Sequence, residues 1–280
     1  MNILTFDVED WYNCDTNITD INWDKYEVRI YEGVERILQE LANRNLRATF
    51  FCLGWIAEKH PNVIRSIHAQ GHNIGCHSYQ HELSFRFDRF GFKQDTEKSK
   101  KLIEDLIGES INAFRAPGFS ITPKNIWSLE VLTELGFEYD CSISPTWQNY
   151  GDFTSYGIAE PAILKLPNGN KIKEFPLNFQ NLMGKNLVFS GGGFFRFLPY
   201  WFIKHWASRS LYMMTYFHTR DFDPDQPMID SLPPMRKFKS YVGLSTSFAK
   251  FQKLLNDFDF VSVEAADKLI DWNTIRVIEL

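Results

Sequence analysis

The chain is poor in the features that would tie it to a nucleic acid, a membrane or a disulfide scaffold. It has four cysteines in 280 residues, Cys14, Cys52, Cys76 and Cys141, and no CxxC pair. That excludes a disulfide framework and a zinc knuckle and leaves scattered, buried or free thiols. No basic run stands out and the net charge is -5, which argues against a nucleic-acid partner. No uninterrupted apolar stretch is long enough to span a bilayer. The N-terminus opens directly into the apolar segment Asn2–Phe6, without a charged region followed by an apolar one. No secretion signal is read there, and the expected location is the cytoplasm or its membrane surface. No GxGxxG follows the first strand, which removes the main support for dinucleotide binding. There is no repeat, low-complexity tract or linker, so a single domain over residues 1–280 is expected. Nothing in the sequence specifies an oligomeric state.

Strand-like and helix-like segments alternate instead. Leu46–Leu53 reads as a buried strand, Gly71–Cys76 as a strand that delivers His77, and Ile111–Arg115, Phe137–Ser142 and Lys171–Phe175 as further strands. Leu211–His218 and Phe258–Val263 complete the strand set. Tyr31–Asn43 carries Val34, Ile37, Leu38 and Leu41 at helical spacing. Pro61–Ala69, Phe92–Ile107 closed by Gly108, a helix from Thr122-Pro123 to Leu135 stopped by Gly136, and Thr246–Asn256 complete the helices. Such alternation predicts an α/β fold with a mainly parallel sheet. Seven or eight strands suggest a distorted (β/α) barrel. Aromatics make up 16% of the chain, with 25 Phe, enough for an aromatic core and a sugar-stacking groove. Residues 178–210, which include Ser190-Gly191-Gly192-Gly193-Phe194-Phe195-Arg196, read as an aromatic and glycine-rich loop insertion. It would either line a sugar groove or pack on the barrel, with contact to a lipid-linked substrate as a third role.

Chemistry concentrates where strands end. His77 and His81 offer two imidazoles four residues apart, and Asp7, Glu9 and Asp10 offer three carboxylates within four positions. Two imidazoles and a carboxylate hold a divalent metal with positions left open, and a spare carboxylate can take a proton from water. Taken alone, HxxxH is more often a helix face with two solvated rings. Arg115, Asp140 and His218 also fall at strand ends, and barrel enzymes collect their chemistry at that rim.

With these residues in view, the sequence resembles the polysaccharide deacetylase family (NodB homology, carbohydrate esterase family 4). Thr5-Phe6-Asp7 with its following acids resembles the first motif, and His77-Ser78-Tyr79-Gln80-His81 the second. Phe114-Arg115-Ala116-Pro117-Gly118 resembles the arginine motif, Tyr139-Asp140-Cys141-Ser142-Ile143 the fourth, and Tyr216-Phe217-His218 the late histidine motif. The spelling resembles a branch tied to bacterial surface-polysaccharide and exopolysaccharide biosynthesis. The resemblance implies a metal-dependent hydrolase that removes N-acetyl or O-acetyl groups from a polysaccharide or its lipid-linked precursor. It implies Asp7 as base, His218 as acid and Arg115 as partner of Asp7. The metal ligands would be His77, His81 and Asp10, with Glu9 as the alternative carboxylate. The metal would be zinc, with cobalt, nickel or iron also suited to such ligands. Asp140, Glu174 and Asp221 are candidates to tune His218, and Pro117, Gly118, Phe119 and Trp11 to contact substrate. Two other readings compete: hydrolysis of a C–N bond in a small cyclic amide, and a glycan-binding module without catalysis.

Overall fold

The computed structural model describes residues 1–13, 23–146, 150–230 and 232–280. Cys14 lies outside them, and Cys52, Cys76 and Cys141 are buried free thiols. The chain starts with β1 (Asn2–Ile3) and β2 (Thr5–Val8), whose four residues are all buried. Full burial is what a parallel strand covered on both faces requires. Helix α1 (Ile30–Asn43) turns Val34, Ile37, Leu38 and Leu41 inward. Then follow β3 (Thr49–Cys52), α2 (Gly54–Lys59), α3 (Pro61–Ala69), β4 (Asn73–Cys76), α4 (Arg89–Ile107) and β5 (Ala113–Phe114). Gly108 closes α4 in the left-handed conformation, as its sequence position predicts.

Helix α5 spans Trp127–Glu134, not the whole stretch from Thr122. The Asn125 side chain accepts from the Thr122 N–H at 2.8 Å and turns that segment into a local loop. Next come β6 (Tyr139–Asp140), β7 (Ala162–Lys165) and β8 (Lys171–Glu174). The 178–210 segment forms a hairpin, β9 (Gln180–Leu182) with β10 (Lys185–Leu187), and two short helices, α6 (Gly192–Phe197) and α7 (Tyr200–Ala207). Phe189, Phe195, Ile203 and Trp206 of this segment join the main core, so it packs as part of the body. The chain ends with β11 (Met213–Met214), β12 (Phe217–His218), α8 (Pro234–Tyr241), α9 (Leu244–Asp257), α10 (Val263–Leu269) and β13 (Val277–Glu279). The strand expected at Phe258–Val263 is reduced to one bridge, Val261 with Ile3, because Ser262 caps α10.

The main sheet has nine strands in the order β12-β2-β3-β4-β5-β6-β8-β7-β13. Every pair is parallel except β7 with β8. The expected closed barrel is not formed: among the described residues, β12 and β13 are edges that do not pair with each other. The reason lies at the far end, where the hairpin around Gly169 (φ 86°) reverses one strand and β13 adds outside it. The sheet still has two apolar faces. The adjacent residues Phe50 and Phe51 point to opposite sides, Phe50 into the core under the helices and Phe51 into a second core with Tyr139, Phe175 and Met214.

Candidate active site at the strand ends

The β2 edge carries the acids. Asp7 lies in β2, in register with His218 of β12 on one side and Phe51 of β3 on the other. Its Oδ1 accepts from Arg115 Nη1 at 2.7 Å. Arg115 has no exposed surface. Its guanidinium stacks over Phe51 at 4.2 Å and donates through Nε to the Cys141 carbonyl. A buried, charge-assisted pair of this kind holds the Asp7 carboxylate in one orientation.

Glu9, not Asp10, meets the histidines. Its Oε1 lies 2.9 Å from His77 Nε2 and 3.0 Å from His81 Nε2. All three groups are buried. Burial alone would raise the Glu9 carboxyl, but the adjoining His81, the hydrogen bonds of both imidazoles and the more distant His218 hold it well below its usual range. The expectation that Asp10 is the ligand is corrected by its contacts. Asp10 Oδ2 accepts from the Arg29 and Ile30 N–H groups at 2.8 and 2.9 Å, and Oδ1 accepts from Trp11 N at 2.8 Å. A strand side chain alternates faces, so the residue after Glu9 turns away from the histidines. There it caps the N-terminus of α1, where a carboxylate is favoured by the orphan N–H groups.

The two histidines are not on a helix. They sit in the loop after β4, with Ser78 (φ 64°) and His81 (φ 58°) in the left-handed region. Such residues cost of order 1–3 kcal/mol each and persist only when their surroundings over-determine them. Here the Ser78 carbonyl accepts from Gly54 N and Ser99 Oγ, both at 2.9 Å, and Tyr79 N donates to Asp95 at 2.9 Å. The His77 Nδ1 contacts the Arg115 carbonyl at 2.7 Å, which turns its Nε2 toward Glu9.

His218 supplies the other wall. Ligand-type atoms of Asp7, Glu9 and His218 all lie within 4.8 Å of one another. His218 Nδ1 lies 3.2 Å from Asp221 Oδ2, and the same oxygen accepts the His218 backbone N–H at 3.0 Å. Desolvation would lower this imidazole, but Asp221, with smaller contributions from Glu9 and Asp7, raises it to about 9. Asp221 is therefore the partner among the three expected candidates. Asp140 and Glu174 are register partners on β6 and β8, both fully buried and away from His218's hydrogen bonds. Burial and the neighbouring Asp140 push Glu174 well above the ordinary carboxyl range, while Asp140 Oδ1 accepts from Ser142 Oγ at 2.5 Å. Their second oxygens, Asp140 Oδ2 and Glu174 Oε2, are buried without a hydrogen-bond partner.

The substrate contacts divide. Pro117–Phe119 makes a 3₁₀ turn beside the site, with Gly118 (φ 60°) half-buried and the Phe119 ring 5.4 Å from Tyr216. Trp11 is only 6% exposed, packs against Tyr12 and Tyr26, and donates to the Glu27 carbonyl at 3.0 Å. It is a core residue and presents no open face to a sugar. Thr219, which the motifs did not single out, pins the acid loop: its Oγ1 donates to the Glu9 carbonyl at 2.6 Å and accepts from Glu9 N at 3.2 Å.

The donor set fits a divalent ion on this geometry. Glu9 Oε2 and His81 Nδ1 are buried without a hydrogen-bond partner, and a carboxylate faces two imidazole nitrogens at contact distance.

Known proteins point the same way. A polysaccharide deacetylase model matches residues 3–139, and a domain of unknown function matches residues 141–268. A peptidoglycan-N-acetylglucosamine deacetylase of Bacillus cereus is 32% identical over 100 residues, 35% of this chain and 36% of the relative. A peptidoglycan deacetylase of Helicobacter pylori is 32% identical over 126 residues, 45% of this chain and 40% of the relative. The aligned part thus spans well under half the length of these relatives. A crystal structure of a provisionally named polysaccharide deacetylase from Mycobacterium smegmatis superposes with a TM-score of 0.66 at 19% identity, over 100% of this chain and 92% of that one. No helix among the described residues is long and apolar enough to cross a membrane. Residues 3–139 thus match the polysaccharide deacetylase domain, and a domain of unknown function follows it.

Proposed function

We propose that this protein is a metal-dependent deacetylase that removes N-acetyl groups from a bacterial surface polysaccharide or its lipid-linked precursor. The observation that carries the reading is the convergence of Glu9 with His77 and His81, and of the Asp7–Arg115 and His218–Asp221 pairs, at one sheet edge. Relatives named for peptidoglycan N-acetylglucosamine support the substrate class.

Glu9, His77 and His81 would hold the ion. When bound, such an ion polarises an acetyl carbonyl and lowers the pKa of water. Two imidazoles and one carboxylate suit zinc, with cobalt, nickel or iron as alternatives. Asp7 accepts the proton of the attacking water, and Arg115 keeps it aimed. His218 is protonated before the reaction begins, because Asp221 favours its charged form. It delivers that proton to the departing amine, which leaves poorly without one.

The test is acetate release from N-acetylhexosamine oligomers or a lipid-linked glycan by the metal-loaded protein. The wild type releases acetate and Asp7→Asn does not. Tight glycan binding with no acetate from wild type would overturn the reading in favour of a binding module.

A further inference from the structure

The glycine-rich segment has a purpose that its sequence did not reveal. Arg196, on α6, is buried yet does not reach the metal cluster. Its Nε lies 3.2 Å from Asp221 Oδ1, while Asp221 Oδ2 faces His218. Its Nη1 and Nη2 donate to the Ser240 and Lys239 carbonyls at 2.6 and 2.9 Å, at the end of α8. The guanidinium is thus held by backbone carbonyls, Nε also donating to Gly192 O at 3.4 Å, and it stands as an ion-pair partner beside one oxygen of Asp221. Gly191 explains the close approach. A Cβ there would lie 2.3 Å from the Tyr216 carbonyl, so only glycine lets the start of α6 bridge to the strand leading to His218. Burial would raise the Asp221 carboxyl, but Arg196 and His218 hold it far below its usual range.

We infer that Arg196 is a positioning residue for the leaving-group acid: it anchors Asp221, which in turn fixes the His218 imidazole against the reaction centre. This rests on the deacetylase reading above. It also gives the domain of unknown function a task, since Arg196, Asp221 and His218 all lie within residues 141–268 and the base and ion-binding groups within 3–139.

A positioning role for an acid has a selective signature. An amide needs its leaving nitrogen protonated, whereas the phenolate of 4-nitrophenyl acetate departs without a proton. Arg196→Lys and Arg196→Ala are therefore expected to lose roughly 30–100-fold in kcat on an N-acetylated oligosaccharide, less than the roughly 10²–10⁴-fold of an acid lost outright, because the acid is misplaced and not removed. KM should stay within about threefold, and ester hydrolysis within about threefold, because attack and ion binding are untouched. Asp221→Asn should give the same split, and the double variant should be no worse than Asp221→Asn alone, since the two residues act in series. In the metal-free protein, NMR should find the downfield His218 Nδ1–H resonance of an imidazole held by a buried carboxylate, and lose it in Arg196→Lys. Where Arg196→Ala does not fold, the lysine variant and the NMR measurement carry the test. Equal losses on amide and ester, additive losses in the double variant, or an unchanged resonance would overturn the role of Arg196 alone. A wild type that cleaves the ester but no N-acetyl glycan would overturn the deacetylase reading and this inference with it.

Discussion

Replacing Glu9 and Asp10 one at a time separates two jobs that adjacent acids perform. Asp10→Ala strands the N–H groups of Arg29 and Ile30 at the start of α1, together with that of Trp11. Loss of a helix cap costs about 0.5–2 kcal/mol. A buried donor left without a partner adds about 1–3 kcal/mol, and Ile30 is only 2% exposed. The sum is about 1.5–5 kcal/mol, or a drop in Tm of roughly 3–20 °C for a chain of this size. Ion stoichiometry should stay at the wild-type level, because none of those bonds involves the histidines. Glu9→Gln is the mirror case. It keeps the shape of the side chain and removes the charged oxygen that lies 2.9 and 3.0 Å from the two imidazoles. Ion affinity should fall by more than the roughly 10–100-fold that loss of an outer hydrogen-bond partner costs. The metal-free protein should melt closer to wild type than Asp10→Ala does. Calorimetric titration with zinc and thermal melts of the metal-free proteins read both quantities. Ion binding lost in Asp10→Ala and kept in Glu9→Gln would refute the assignment.

Other substitutions test neighbouring parts of the argument. Asp7→Asn should retain the ion while acetate release falls about 10²–10⁴-fold, the usual range for a lost general base; loss of the ion in that variant would show Asp7 to be a ligand. Glu174 keeps a proton in the folded state at pH values where the unfolded chain has already released it. Stability therefore falls as pH rises from there toward the raised folded value, at up to about 1.4 kcal/mol per pH unit. Glu174→Gln should flatten that slope in urea unfolding of the metal-free protein above the ordinary carboxyl range, and an unchanged slope would contradict a carboxyl that keeps its proton in the folded state. Gly33→Ala puts a Cβ 2.1 Å from the Thr219 carbonyl. It should cost about 1–3 kcal/mol by overpacking, together with acetate release, since Thr219 pins Glu9; wild-type urea stability would refute that contact.

The parts of the site written in local spelling were legible. The strand-end positions of Asp7, His77, Arg115 and His218, and the two imidazoles that converge on an acid, followed from the alternation of apolar segments and the motifs. What the sequence hid was orientation. Glu9 and Asp10 differ by one position along an extended chain, so the same spelling is compatible with either facing the histidines. Only the N-terminus of α1, some twenty residues on, decides which acid turns away. Asp221 prevails over Asp140 and Glu174 because a 3₁₀ turn after His218 folds it back, and that turn has no sequence signal beyond a nearby acid. Trp11 shows the same limit: its place beside the acids makes it a candidate for substrate contact, while a neighbouring tyrosine pair buries it. The barrel was over-read because counting strands gives no information about direction. Beyond the turn at Gly169 two strands, β7 and β13, run against the rest, and the sheet stays open.

The pairing of β2 with β12 has a consequence for synthesis. Phe6 and Asp7 are hydrogen-bonded neighbours of Phe217 and His218, about three-quarters of the chain later. Until those residues leave the ribosome, β2, buried on both faces in the finished fold, has one unsatisfied edge. An unpaired edge of that kind recruits foreign strands, and a contact this distant in sequence forms slowly. The nascent N-terminal half is thus the stage most open to mispairing, and His218 is the last of the site residues to arrive.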